Sequence, residues 1–182
     1  MLEINESVKD IIVRAKSGDR EAFDELYGMY VTPVFRYVLL RLHSISDTED
    51  VVQETFMKAY QAIDRYQDEG RGMLPYLFTI ARNLLINHTK KKRPETFLPE
   101  EMDRHAGGES ASEGALNSEL SSALLKAMEG LSDLEREVIE LKFFGERTYA
   151  EIAVIMDKRE DAVRQHVVRA MRKMRVPMAQ FK

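Results

Sequence analysis

Between Leu131 and Arg175 apolar residues recur at helical spacing in three short segments. Leu134, Val138 and Leu141 mark the first, Tyr149, Ile152, Ala153 and Met156 the second, and Val163, Val167, Ala170 and Met174 the third. Ser132 with Glu135, and Thr148 with Glu151, are spaced as capping boxes. There the hydroxyl and the carboxylate satisfy backbone N–H groups that a helix start leaves open, so helices are predicted to begin at Asp133 and Tyr149. A break at Asp157, Lys158 and Arg159 leads into the third segment.

The N-terminal half shows the same period. One amphipathic helix is predicted from about Asn5 to Lys16, stopped near Gly18, with Asp19 as the cap of the next. That next helix runs from Glu21 to Leu42, and Pro33 is expected to kink or divide it. Ser46 to Glu49 reads as a capping box opening a third helix. On it Val52, Phe56, Ala59 and Ile63 share one side, while Asp50, Gln53, Glu54, Met57 and Gln61 lie opposite. After a loop from Arg65 to Gly72, a fourth helix is expected over Leu74 to Arg93. Its predicted inward positions are Leu77, Ala81, Leu84 and His88, and its outward ones Thr79, Arg82, Asn83, Ile86, Lys90 and Arg93.

From Pro94 to about Ser118 the periodicity disappears, and prolines, glycines, serines and acids take over. Such a segment cannot bury enough to order itself and reads as a flexible acidic linker. The expected organisation is all-α: a helical domain over 1–93, the linker over 94–118, and a helix-turn-helix domain over 119–182. Charge follows these divisions. The net −4 of the chain arises because residues 94–119 hold seven acids against one arginine, whereas residues 1–93 balance and residues 120–182 carry a small positive excess. The acidity therefore does not argue against nucleic-acid binding by the C-terminal part. There is no cysteine, which suits a reducing cytosol. Neither a cationic, apolar leader nor 18 consecutive apolar residues occurs, so a cytoplasmic location without membrane insertion is expected.

Three sets of residues carry candidate chemistry. Placed about 100° apart, the positions of the third C-terminal helix put Asp161, Arg164, Gln165, Val168, Arg169 and Arg172 on the face away from the packing side. Arginine can pair with guanine and glutamine with adenine, each bidentately, for roughly 1–3 kcal/mol of discrimination. Two helices joined by a short break, the second carrying such donors outward, fit the helix-turn-helix used in the major groove. A plain amphipathic helix with a solvated basic face would share the charges but not the turn spacing and boxes. In the N-terminal half, Tyr66, Tyr76 and Phe78 beside a glycine loop and the run Lys90 to Arg93 have the composition that holds unstacked bases, although two of the three rings would serve a core equally well. The acidic side of the third helix admits three readings: a solvated face, a metal-binding pair at Asp50 and Glu54, or a docking face for a basic partner. No histidine has ligand spacing there, and no cofactor is expected.

Asp47-Thr-Glu-Asp-Val-Val-Gln-Glu-Thr-Phe56, Tyr76-Leu-Phe-Thr-Ile-Ala-Arg-Asn83, Leu131-Ser-Asp-Leu-Glu-Arg-Glu-Val138 and Tyr149-Ala-Glu-Ile-Ala153, with Ala162-Val-Arg164 and Arg169-Ala170, resemble an extracytoplasmic-function sigma factor of the bacterial sigma-70 family. The likeness runs in one order over nearly the whole chain outside the linker. It implies a transcription initiation factor without catalytic activity of its own. Asp47, Glu49, Asp50, Gln53 and Glu54 would then dock on core RNA polymerase. Arg65, Tyr66, Gly70, Arg71, Gly72, Tyr76, Arg82, Asn83, Lys90 and Arg93 would serve the melted −10 element, whose non-template strand gives up a flipped base. Arg159, Asp161, Arg164, Gln165, Val168, Arg169 and Arg172 would serve the duplex −35 element. An anti-sigma protein is a further partner the resemblance implies. The sequence departs from the family pattern at Tyr76, where tryptophan is usual, at Asn87, at Asp157, often glycine, and at Arg159, Glu160 and Asp161. The alternatives are a free-standing helix-turn-helix regulator, a metal-dependent nuclease using Asp50 and Glu54, and a module that only sequesters another protein.

Overall fold

The computed structural model describes residues 2–68, 70–89 and 127–178, with side chains described over 8–68, 70–88 and 127–175. The chain divides into two compact units, Met1–Pro94 and Glu95–Lys182. Every regular element among the described residues is helical. The expected linker lies outside the described residues.

In the first unit α1 spans Leu2–Lys16, α2 Arg20–Leu42, α3 Ile45–Gln61 and α4 Met73–Thr89. The chain reverses after α1 at Gly18, whose φ of +93 lies where a Cβ is costly. Asp19 then caps α2, its Oδ1 accepting from the Ala22 N–H at 3.2 Å. That bond and the Arg14 guanidinium hold the Asp19 carboxyl below its ordinary range. Helix α2 is central, packing on α1, α3 and α4. Accordingly Val34, Tyr37, Val38 and Leu39 are all buried, since a helix covered on several sides must be apolar on several sides.

Pro33 lies inside α2 and does not divide it. An interior proline removes a backbone bond at about 3 kcal/mol. Here both flanking turns are held by buried side chains, Leu26 before it and Val34, Tyr37, Val38, Leu39 and Leu40 after it. The start of α3 also differs from expectation. The cap is Ser44, whose Oγ accepts from the Asp47 N–H at 3.4 Å, and Ser46 already lies within the helix. With Ser44 in this role, Thr48 falls a turn inside, where its buried hydroxyl donates to the Ser44 carbonyl at 2.7 Å.

Helix α4 is turned relative to the predicted stripe. Phe78 and Leu85 are buried with Leu77 and Ala81, whereas Leu84 and His88 are only partly covered. The cause is aromatic: the Phe78 ring meets Tyr37 of α2 edge to face, centroids 4.9 Å apart, and draws its own side of α4 inward. Two further edge-on pairs, Phe23 with Tyr60 and Tyr27 with Phe56, join α2 to α3.

In the second unit α5 spans Asp133–Ile139 and runs into a π-helical turn over Glu140–Phe144. Helix α6 covers Tyr149–Ile155 and α7 Glu160–Met178. Both predicted capping boxes are present, on Ser132 with Glu135 and on Thr148 with Glu151. Helix α7 packs against both α5 and α6. The core between them is Val138, Ile139, Leu141, Ile152, Ile155, Val163, Val167 and Ala170, while Leu134, predicted to pack, stands at the surface. After the π turn only glycine fits at 145, because a Cβ there would meet the Leu141 carbonyl oxygen at 2.9 Å.

Candidate nucleic-acid interface and acidic docking face

Helix α6, the turn at Asp157 to Arg159, and α7 form a helix-turn-helix. Asp157 makes the bend in a left-handed conformation, φ +51, which a short polar side chain tolerates better than most. Val163, Val167, Ala170 and Met174 all face the core, and Asp161, Arg164, Gln165, Val168, Arg169 and Arg172 are all exposed, as the spacing predicts.

The outward donors are held rather than loose. Arg159 pairs with Asp161 at 3.2 Å, and Arg169 donates to the Gln165 side-chain carbonyl at 3.3 Å. Arg164 donates to Glu160 one turn back, Nε at 3.1 Å, and its guanidinium lies 4.4 Å over the Tyr149 ring. Lys142 sits 4.9 Å from the same ring. Val168 and Arg172 have a second neighbourhood. With Phe143, Phe144 and Met171 they border an apolar hollow of about 740 Å³ between the π turn and α7.

In the first unit, the acids of α3 lie opposite the side that carries Val52, Phe56 and Ala59. Glu49, Asp50, Gln53 and Glu54 are exposed, and Asp47 is partly covered in the first turn. Glu54 pairs with Lys58 at 3.3 Å. Met57, 54% exposed, and Tyr60 add apolar surface beside these charges. Among the described residues no three His, Asp or Glu side chains are placed to hold a metal ion, so Asp50 and Glu54 have no third ligand.

The loop before α4 is built on Asp68. One carboxylate oxygen accepts from the N–H groups of Gly70, Arg71 and Gly72, at 2.9, 3.2 and 3.1 Å. Gly70 and Gly72 both have positive φ, +80 and +73, the shape that turns successive amides toward one oxygen. Below the loop Tyr66 is buried, 7% exposed, its ring 5.0 Å from that of Tyr76. Burial pushes both phenols above their ordinary range, so each is neutral. Lys16 of α1 donates to the Tyr66 carbonyl at 2.8 Å.

Of the three rings that suggested base stacking, Phe78 is core, Tyr66 forms the floor of the loop, and Tyr76 keeps an accessible edge. Arg65, Arg71 and Asn83 are exposed and Arg82 is partly covered. Lys90 and Arg93 lie outside the described residues. Sequence reasoning missed Asp68, although an aspartate two residues before a Gly-x-Gly bend is a turn signal. It also missed the Tyr149 ring as a seat for Lys142 and Arg164, because those contacts run from α6 to the segments before and after it and helical spacing does not report them.

Residues 26–95 match the family Sigma-70 region 2, and residues 121–174 match Sigma-70, region 4. The chain is 30% identical over 152 residues to the ECF RNA polymerase sigma factor SigM of Bacillus subtilis, covering 84% of this chain and 92% of that one. It is 33% identical over 165 residues to the ECF RNA polymerase sigma factor BldN of Streptomyces coelicolor; these are 90% of this chain and only 62% of that longer relative. In fold it is similar to CnrH in complex with the cytosolic domain of CnrY, with a TM-score of 0.69 and 22% identity over 94% of this chain and 97% of that chain. It is likewise similar to the sigma factor RpoE in complex with the anti-sigma factor NepR from Bartonella quintana, with a TM-score of 0.64 and 24% identity over 86% and 96%. The chain belongs to the extracytoplasmic-function sigma factors of the sigma-70 family.

Proposed function

We propose that this chain docks on core RNA polymerase through the acidic side of α3 and directs it to promoters. In this reading the second unit recognises a duplex −35 element and the first opens the −10 element. The observation that carries it is the division of α7, with four side chains in the core and Arg164, Gln165, Val168, Arg169 and Arg172 outward beyond a helix-turn-helix bend. Fork-shaped donors so placed suit base edges in a major groove.

Opening of the −10 element draws on Arg65, Arg71, Tyr76, Arg82 and Asn83 around the glycine loop, with Tyr66 beneath it and Lys90 and Arg93 following α4 in sequence. Extruding a base costs a few kcal/mol. The cations and the bound polymerase would offset that cost. An anti-sigma protein as a further partner is in keeping with RpoE, seen in complex with the anti-sigma factor NepR.

Run-off transcription with core polymerase, with and without this protein, over a promoter library randomised at both elements tests the reading. Enrichment of one −10/−35 pair is expected. Transcription unchanged by the protein would refute it, and tight duplex binding without polymerase would point to a free-standing regulator.

A further inference from the structure

The seven residues expected to meet the −35 element do not explain how a flexible arginine is aimed. Arginine has many rotamers, and a bidentate pair with a base tolerates little angular error. On α7, Arg164 is held from two sides by residues outside that set. Glu160 accepts from its Nε and from Nη2. Tyr149, the first residue of α6, lies under the guanidinium at 4.4 Å from the ring centre. Tyr149 is itself fixed, since the Thr148 capping box sets the start of α6 and Lys142 lies 4.9 Å from its ring. Lys142 in turn donates to the Arg147 carbonyl at 3.3 Å.

We propose that Tyr149 and Glu160 are positioning residues for promoter recognition: ring and carboxylate together aim the Arg164 guanidinium, and so set base preference at one −35 position. The inference rests on the −35 reading above. The two contacts act differently. A ring under the guanidinium plane leaves its N–H edge pointing outward, while the carboxylate orients that edge and takes up one positive charge. An exposed ring–cation contact biases its partner by roughly two- to five-fold. Glu160, negative beside the DNA path, also raises the cost of any arrangement in which Arg164 merely lies on a phosphate.

The test uses holoenzyme reconstituted from core polymerase and the full chain, transcribing a library randomised over the −35 hexamer. Tyr149→Leu is expected to lower discrimination at a single position by about five-fold. Tyr149→Phe, which keeps the ring, should restore the wild-type preference. Glu160→Ala, a change at a half-exposed side chain outside the core, should relax the same position and steepen the salt dependence of binding by about one phosphate contact. Unchanged discrimination in both Tyr149→Leu and Glu160→Ala would overturn the proposal, as would a loss spread evenly over all sequences. Failure of the wild-type holoenzyme to select any −35 sequence would instead remove the −35 reading on which it stands.

Discussion

The ammonium of Lys173 lies 2.6 Å from one carboxylate oxygen of Glu135, and that same oxygen accepts from the Ser132 backbone N–H at 2.8 Å. The start of α5 and the middle of α7 are thus joined through a single atom. These donors, Lys173 foremost, lower the Glu135 carboxyl to about 2 from its ordinary 4.5. On acidification the unfolded chain takes up this proton first. The stability contributed is whole above about pH 4.5 and disappears as pH falls toward 2. Urea denaturation of wild type and Glu135→Gln between pH 2 and 6 should show the two curves converging across that window. Lys173→Met, which keeps the stem, should narrow the window from below.

The bend between α6 and α7 offers a gain. Asp157 holds φ +51, where a Cβ costs roughly 1 kcal/mol that glycine avoids. Asp157→Gly should therefore stabilise the second unit by up to about 1 kcal/mol, read as an upward shift in thermal midpoint. Gly145→Ala should do the reverse, by about 1–3 kcal/mol, because the new methyl meets backbone at 2.9 Å.

On α3, Asp50→Ala with Glu54→Ala should weaken binding of core polymerase while leaving stability within about 0.5 kcal/mol, since both side chains are exposed. Pull-down with core enzyme and thermal denaturation separate the two effects. DNA binding by the full chain should be unaltered.

Asp68→Ala removes the acceptor of three loop amides. Water can replace it at these exposed positions, so the global cost should stay within about 1–2 kcal/mol. The loop itself should loosen, visible as faster amide exchange at Gly70 to Gly72, and open-complex formation should fall more than −35 binding does. Gly72→Ala, strained at φ +73, should behave alike.

Much of this organisation was legible in the sequence. The inward and outward sets of α7 and the starts of α5 and α6 follow from spacing and capping alone, because both are local. The start of α3 was misplaced by two residues, since Ser44 and Ser46 compete as caps and Thr48 decides between them by bonding back to the Ser44 carbonyl. The turn of α4 was missed because Phe78 answers to Tyr37, a partner on another helix. At the candidate site the same rule holds. The identities of the exposed arginines were readable, but not the contacts that hold them, nor which two of the three rings belong to the core, which the fold shows to be Tyr66 and Phe78.

The Asp68 hub has an electrostatic consequence. Three consecutive backbone hydrogens that would otherwise form a cradle for an anion converge on the chain's own carboxylate. A sugar-phosphate oxygen approaching that bend meets an occupied, negatively charged seat and is turned away. On the −10 reading proposed above, the charge of an incoming strand would therefore fall to the guanidinium groups at the margins of the bend, Arg65 and Arg71.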